Sequence, residues 1–346
     1  MINILLTLPR LSNQFLTRST YDILEAIFSS SPDSTNLPPV ASTLQELLSL
    51  RPAANSVLTL PNWLGALEQA FVTLARQDQT LCTEILLSNF KGVLIDFCCS
   101  EMKSEETRAK AESCAKGMIR WCLDLSDSQM TLAIEDKDCP LKGVCDLLEG
   151  CYSDLRFKGV GMLHVINITA TLFTTLKVRP SSTRLPLASY LLQPHLDKLG
   201  DFRSNTTFEY KAAAETAIGN AIEVCGPPWV LDVLPLNLMD EASSFVAQGR
   251  AWMLPLLRAR LTNTELKHFV TYFVPLSERL YNKKVEAQGK GKGSEVEAKV
   301  FEALVEQCWA LLPGYCDLPV DLTEVSLFSA LCDQADDFPG IHQNLR

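Results

Sequence analysis

Hydrophobic positions along most of the chain recur at every third or fourth residue, which is the spacing of one face of an α-helix. In residues 299–312 the apolar side chains fall on one stripe, whereas Glu302 and Glu306 fall away from it. Residues 162–176 and 210–225 carry stripes of the same period. No two adjacent segments form a β-hairpin pattern, and no strand alternates with the helices. The pattern therefore predicts an all-α fold with about fifteen helices of roughly 10–20 residues.

Helix boundaries carry two kinds of local signal. The Ser/Thr-x-x-Glu sequences that begin at Thr206, Thr262 and Ser294 match the capping box, so each predicts a helix start. Pro255 and Pro275 fall inside otherwise helical patterns. Because proline lacks an N–H group and clashes with the preceding turn, each is expected to kink its helix.

The helices follow one another in pairs at a period of about 40 residues, and no pair can bury its apolar stripe alone. This organisation predicts a HEAT/armadillo-like α-solenoid of stacked antiparallel helix pairs; an irregular helical bundle is the alternative. A degenerate HEAT-like array is predicted for residues 1–283 and a Gly/Lys-rich flexible loop for 284–298. Residues 299–346 are expected to form a final helix pair that continues the array.

Composition narrows the class of protein. The chain has 346 residues, of which 47% are hydrophobic, enough for a continuous core. Its formal charge of −10 argues against a dedicated DNA-binding domain but leaves room for a local basic patch. The most apolar long stretch, 161–178, is interrupted by His164, Asn167 and Lys177, so no membrane span is predicted. The first residues lack the basic region of a signal peptide.

The sequence contains none of the common metal-binding or catalytic motifs. The 12 cysteines form no CxxC pair, so we interpret them as small buried hydrophobes and expect no metal site. No Walker, dinucleotide-binding, GxSxG or HExxH motif occurs, so neither a cofactor nor an enzymatic activity is predicted. None of the four histidines stands in a recognised catalytic arrangement. His164, within an apolar helix, is interpreted as a core or groove-facing side chain.

Three strings carry a resemblance to one family. They are GRAWMLPLLR at 249–258, AIGNAIEVCGPPWVLDVLPLN at 217–237 and CWALLPGYCDLPVDL at 308–322. In sequence, order and spacing they resemble motifs of the ribosomal-RNA-processing protein 12 family, which are long HEAT-repeat ribosome-assembly factors. The strings also have a structural interpretation as helix ends and core, with Trp252, Leu254, Leu256 and Leu257 buried.

The resemblance implies a non-enzymatic scaffold of the nucleus and nucleolus, with shuttling to the cytoplasm as an open question. The family's role covers assembly of the small ribosomal subunit in 90S and pre-40S particles, pre-rRNA processing and nuclear export of pre-ribosomes. The implied partners are pre-ribosomal proteins and pre-rRNA, and also the Ran–karyopherin export machinery; neither a membrane nor a small-molecule substrate is implied. The chain carries no basic C-terminal tail, so RNA affinity that depends on that tail is not carried over. A karyopherin- or armadillo-like adaptor that binds basic cargo is the alternative.

Contacts with RNA or an acidic partner would have to use local clusters of positive charge, because the chain as a whole is acidic. The richest clusters surround the GRAWMLPLLR string and the predicted loop. The candidate contact residues are Arg250, Arg258, Arg260, Lys267, Lys283, Lys284, Lys290 and Lys292. A solvated charged surface without a partner is the alternative interpretation of the same residues.

Overall fold

The computed structural model of the chain describes residues 2–11, 13–30, 40–53, 56–98, 104–239, 249–289 and 295–321. Throughout these ranges the regular structure is helical and contains no strand, so the predicted all-α fold is confirmed. The chain divides into two compact units. Unit 1 comprises residues 1–199 with 212–217, and unit 2 comprises residues 200–211 with 218–346.

Helices of unit 1 fall into two packed layers. Their bounds are α1 Ile2–Leu5, α2 Gln14–Ser30, α3 Val40–Ser49, α4 Leu60–Gln77, α5 Gln79–Val93, α6 Glu105–Cys122, α7 Asp127–Ile134, α8 Pro140–Ser153, α9 Val160–Thr175, α10 Ala188–Leu191 and α11 Gln193–Ser204, the last of which extends into unit 2. Helix α4 packs between α2 and α6, and α6 in turn packs on α9. The second layer is formed by α3, α5 and α8, and α5 contacts α4, α6 and α8. This is the stacking of helix pairs that the α-solenoid prediction requires.

Helices of the first layer run in the same direction. Asn62, near the start of α4, donates a hydrogen bond to Asp22 of α2. Further along both helices, the Thr73 hydroxyl lies 3.5 Å from the carbonyl oxygen of Phe28. Parallel neighbours in one layer, each returned by an antiparallel helix of the other layer, are the arrangement of a helical repeat array.

Unit 2 contains shorter helices around an aromatic core. Their bounds are α12 Lys211–Cys225, of which residues 212–217 belong to unit 1, α13 Pro227–Val233, α14 Met253–Arg260, α15 Leu266–His268, α16 Val274–Gly289, α17 Glu295–Trp309 and α18 Leu312–Tyr315. Helices α16 and α17 form the most extensively packed pair, and α14 packs against both α17 and α18. The predicted stripe of α17 is buried at Phe301, Leu304 and Cys308, but Val300, which the stripe also included, is 38% exposed.

Both prolines differ from the expected mid-helix kinks. Helix α14 begins only at Met253, so Pro255 lies in its first turn. Backbone N–H groups in the first turn have no acceptor within the helix, so the missing N–H of the proline breaks no helical hydrogen bond. Pro275 follows a five-residue π-helical turn, Phe269–Phe273. The wider turn accommodates the proline, because its ring would clash with the carbonyl of residue 271 in a regular α-helix.

Two of the three predicted capping boxes are wrong. Helix α12 begins at Lys211 with Tyr210 as its N-cap, so Thr206 lies well before the helix start. Helix α15 begins at Leu266, and Thr262 donates its hydroxyl to Asp317 instead. The third box begins at Ser294, which lies outside the described residues.

The predicted loop 284–298 is too wide. Helix α16 continues to Gly289, and α17 begins at Glu295. Ala287 is buried, because the Lys- and Glu-rich sequence around it still places an apolar residue on the face that packs against α17. Residues 290–294 lie outside the described residues, as does 322–346 of the predicted final pair.

Candidate partner-binding surface

Arg250 of the GRAWMLPLLR string serves the fold of unit 2. Its guanidinium Nη1 donates to the carbonyl oxygen of Pro235 at 2.8 Å, and its backbone N–H donates to that of Leu236, also at 2.8 Å. Both acceptors belong to the string at 217–237. Arg250 therefore joins two of the three strings, and its guanidinium is already engaged.

Arg260, two residues after the GRAWMLPLLR string, makes a second connection to the string at 217–237. Its Nη1 lies 2.5 Å from the Glu223 carboxylate on α12. The guanidinium crosses Gly219, where the Cβ of any larger residue would come within 3.1 Å of Arg260 Nε. Exchange of Arg260 for glutamate would place two carboxylates together, so the arginine is unsuitable for a charge reversal intended to leave the fold intact.

The third string packs against the chain that follows Arg260. A Cβ on Gly314 would lie 2.7 Å from Leu261 Cβ and 3.1 Å from the Leu261 carbonyl oxygen, so glycine permits this close approach. The backbone N–H of Asn263 donates to the Asp317 carbonyl at 2.9 Å. The Asp321 carboxylate accepts hydrogen bonds from the backbone N–H groups of Leu266 and Lys267, both at 2.8 Å. All three strings thus meet in one part of unit 2.

We expect Asp321→Ala to lower the free energy of unfolding of unit 2 by about 1–2 kcal/mol, because two N–H groups at the start of α15 lose their acceptor. Chemical denaturation measures the change. Asp321→Asn keeps one amide oxygen as an acceptor and should recover part of the loss. Unchanged hydrogen exchange at the Leu266 and Lys267 amides in the alanine variant would contradict the capping role.

Two of the four candidate lysines around the predicted loop lie in the described residues, and both are paired with carboxylates. Lys283 lies 3.6 Å from the Glu286 carboxylate, and Lys284 lies 2.6 Å from that of Glu302 on α17. Lys290 and Lys292 lie outside the described residues. The pairing of Lys284 holds α16 against α17, which is a structural role.

Arg258 and Lys267 are the candidate cations that the fold leaves available. Both side chains are exposed, and neither makes a hydrogen bond or an ion pair with another residue in the described ranges. Arg258 lies in the last turn of α14, and Lys267 lies in α15. Of the six predicted contact residues within the described ranges, these two remain unpaired candidates for binding a partner on unit 2, and Lys290 and Lys292 stay predictions.

The predicted core of the GRAWMLPLLR string is correct only in part. Leu254 and Leu257 are buried, whereas Leu256 and Trp252 are partly exposed. The Trp252 ring lies beneath the guanidinium of Arg203, 4.8 Å from its central carbon. Stacking against a cation keeps one side of the indole near the surface, so Trp252 is not the deeply buried side chain that the apolar run predicts.

A histidine and a carboxylate form a partly buried pair in unit 1. His164 Nδ1 lies 2.6 Å from Glu112 Oε2, and Asn167 donates to the same oxygen at 3.2 Å. Burial raises the pKa of the Glu112 carboxyl, but hydrogen bonds from His164, Lys116 and Asn167 outweigh burial and lower the pKa to about 2. The carboxylate therefore stays charged and joins α6 to α9, as expected of a histidine with a structural role.

Neither a metal site nor a membrane-spanning helix is found within the described ranges. No group of three or more His, Cys, Asp or Glu side chains is arranged to hold a metal ion there. None of the helices in those ranges is both long and apolar enough to cross a membrane. The cysteines described are free thiols, and all except Cys139 and Cys316 are buried.

Comparison with known proteins identifies the family to which these joined strings belong. A sequence profile described as "Ribosomal RNA-processing protein 12, HEAT repeats" matches residues 101–335, which is more than half of the chain and includes all three strings. The chain belongs to this family. Membership in the ribosomal RNA-processing protein 12 family agrees with the stacked helix pairs and establishes the α-solenoid class.

Relatives in the family are much longer than this chain. It is 33% identical over 302 residues to the "Putative ribosomal RNA-processing protein 12" of Schizosaccharomyces pombe, covering 87% of the chain and 24% of that protein. The "RRP12-like protein" of Homo sapiens is 26% identical over 92% of the chain and 24% of its own length. The "Ribosomal RNA-processing protein 12" of Saccharomyces cerevisiae is 23% identical over 93% of the chain and 26% of its length. The chain thus spans about a quarter of these relatives.

The connections within unit 2 were missed at the level of sequence. Glu223, Asp317 and Asp321 carry no motif, and each acts on a residue 37 to 55 positions away. Their only signal was their position inside the strings that resemble the family.

Proposed function

We propose that this chain acts as a non-enzymatic scaffold in assembly of the small ribosomal subunit. The proposal covers association with 90S and pre-40S particles, a role in pre-rRNA processing, and a role in nuclear export of pre-ribosomes through the Ran–karyopherin system. A nuclear and nucleolar location belongs to the same proposal. The observation that carries it is the match of residues 101–335 to a family named for ribosomal RNA processing.

The physical support is the architecture of the two units. Stacked helix pairs present an extended surface with many independent positions for contact, which suits the binding of large particles. The residues of the family-like strings are used to join helices, as the Arg260–Glu223 pair and the Asp321 cap illustrate. Their chemistry supports a stable binding platform and requires no reaction.

The proposed contact with the particle through unit 2 can be tested by reversing the two available cations. We expect Arg258→Glu with Lys267→Glu to reduce co-sedimentation of the protein with small-subunit precursors by roughly threefold or more, because each exposed cation contributes up to about 1 kcal/mol to ion pairing. Both side chains are exposed and unpaired within the described part of unit 2, so the fold should be unchanged.

The matched control reverses two exposed cations of unit 1, Lys91→Glu with Lys158→Glu, for the same change in net charge. Gradient sedimentation of nuclear extract, followed by detection of the tagged variants, compares the two. Normal sedimentation of the Arg258/Lys267 variant would remove this surface from the interface. If even the unaltered protein fails to recover small-subunit precursors and instead recovers basic cargo, the scaffold proposal is wrong and the adaptor class takes its place.

A further inference from the structure

The carboxyl-terminal ends of α4, α6 and α9 meet along one edge of unit 1, because first-layer helices run in parallel. Gln79, the first residue of α5 and two residues after the end of α4, donates its Nε2 to the carbonyl oxygen of Cys122, the last residue of α6, at 2.9 Å. Ser181, in the segment that follows α9, donates its backbone N–H to the Asp127 carboxylate at 3.2 Å. We call this edge the C-terminal edge of unit 1.

Five cations on the C-terminal edge are free of ion pairs in the described structure. Each is exposed, and no side chain among them makes a hydrogen bond or an ion pair with a described residue. They are Arg76, Arg120, Lys177, Arg179 and Arg184. Elsewhere in unit 1, Arg10, Arg51, Lys110, Lys116 and Lys142 are all paired with carboxylates. Arg18, Lys91 and Lys158 are also unpaired, so five of the eight described cations of unit 1 that lack a partner lie at this edge.

A tryptophan stands among these cations. Trp121 follows Arg120 in the last turn of α6, and 62% of its surface is exposed. Indole is large and flat, so an exposed indole can stack against a planar group such as a nucleobase. Its flat, exposed ring offers a stacking surface, and the unpaired guanidinium groups at the same edge offer ligands for anions.

The helix dipole accounts for only part of this arrangement. Cations are favoured in the last turn of a helix, which covers Arg76 and Arg120. The dipole does not explain Arg179 and Arg184, which lie after the end of α9 in the segment before α10. It does not explain the exposed Trp121 either.

Carboxylates at the same edge are already engaged. Asp78 accepts a hydrogen bond from the Leu81 backbone N–H, Asp124 accepts one from that of Ser126, and Asp127 accepts from Ser181. Their donors are neutral, so the three carboxylates keep their negative charge, but none of them forms an ion pair with one of the five cations in the described structure; five positive charges therefore stand against these three negative ones. The chain's net charge of −10 opposes this local field only weakly, since charges are screened over about 8 Å at physiological salt.

We propose that the C-terminal edge of unit 1 binds single-stranded RNA, with phosphates on the arginines and Lys177 and with a base stacked on Trp121. Aromatic stacking combined with a track of cations is the common way in which proteins hold single strands. The choice of RNA over an acidic protein rests on the proposed function, and no sequence specificity is implied by stacking and phosphate contacts.

Fluorescence anisotropy with a labelled 20-nucleotide single-stranded RNA tests the edge in the whole chain. We expect Arg120→Glu with Arg179→Glu to raise the Kd by about tenfold, and to reduce the slope of log K against log salt by about 1.4, or about 0.7 for each lost phosphate contact. Trp121→Ala should weaken binding by at least about fivefold, and Trp121→Phe should restore part of it, because phenylalanine still stacks.

The matched control is again Lys91→Glu with Lys158→Glu, because the end of α5 and the start of α9 lie at the opposite edge of unit 1. It should bind RNA like the unaltered chain. Equal loss in the control and edge variants, or unchanged binding in the edge variants, would overturn the proposal. So would edge variants that keep RNA affinity but lose a protein partner. Because the assay uses purified RNA, its outcome is independent of whether the chain sediments with pre-ribosomes.

Discussion

Replacement of Phe269 by alanine is expected to lower the free energy of unfolding of unit 2 by about 3–5 kcal/mol, the cost of emptying a large site in a packed core. Phe269 is 1% exposed. Its ring centroid lies 5.4 Å from that of Tyr315 and 5.6 Å from that of Trp309. One side chain thereby connects the π-helical turn before α16 to α17 and α18. Its removal should leave a cavity that the surrounding rings cannot close.

A matched control for Phe269 exists in the same chain. Phe15, at the start of α2, is 76% exposed, so Phe15→Ala removes the same atoms without opening a cavity. Its effect should stay within about 0.5 kcal/mol. Urea denaturation of both variants, fitted with one common slope of the free energy against urea concentration, gives the two changes in the free energy of unfolding. A loss below about 1 kcal/mol for Phe269→Ala would show that the aromatic cluster is not the core of unit 2.

Burial of apolar residues was the part of the fold that sequence could predict. The period of 3.6 residues is a property of the helix itself, so the stripe of α17 identifies its buried face without knowledge of the neighbour. Phe301 and Leu304 are 5% exposed, and Cys308 is fully buried. The same logic marks Val165 and Phe173 in α9, both fully buried.

Polar partners were the part that sequence could not predict. Thr262-x-x-Glu265 has the local pattern of a capping box, but the cap of α15 comes from Asp321, 55 residues away from Leu266. A capping side chain close in sequence competes for the same N–H groups with any acceptor that the fold brings near. Either hydrogen bond stabilises the fold by a similar amount, about 1 kcal/mol. Spacing alone could not decide between them.

Candidate contact residues show the same limit. Sequence gives the position of each positive charge but not of the carboxylate that neutralises it. The sequence predicts Arg260 and Lys284 as contact residues. In the fold, however, Arg260 is paired with Glu223, and Lys284 is paired with Glu302. Conversely, Arg76, Arg120 and Arg179 lie far apart along the chain, so their common edge emerges only from the parallel course of the helices.

A buried histidine at the centre of unit 1 makes its stability depend on pH. His195 is 1% exposed, and its Nδ1 lies 3.2 Å from the Tyr152 hydroxyl, which in turn lies 2.7 Å from that of Thr169. This network joins α8, α9 and α11. Burial disfavours the charged imidazolium and lowers the pKa of His195 to about 4, against an ordinary value of 6.5.

We expect unit 1 to lose about 3 kcal/mol of stability through His195 alone as the pH falls from 7 to 4. Between the two pKa values the unfolded chain binds a proton that the folded chain excludes, so stability rises with pH there and the loss begins near 6.5. His195→Gln removes the titrating group, and the difference between its denaturation curves and those of the unaltered chain at pH 7, 5.5 and 4.5 isolates the effect from that of the carboxylates. Equal pH dependence in both proteins, or an NMR titration of His195 near pH 6.5, would contradict it. The excluded proton follows from burial, which lowers the pKa of His195 by more than its hydrogen bond with the backbone of Cys145 raises it.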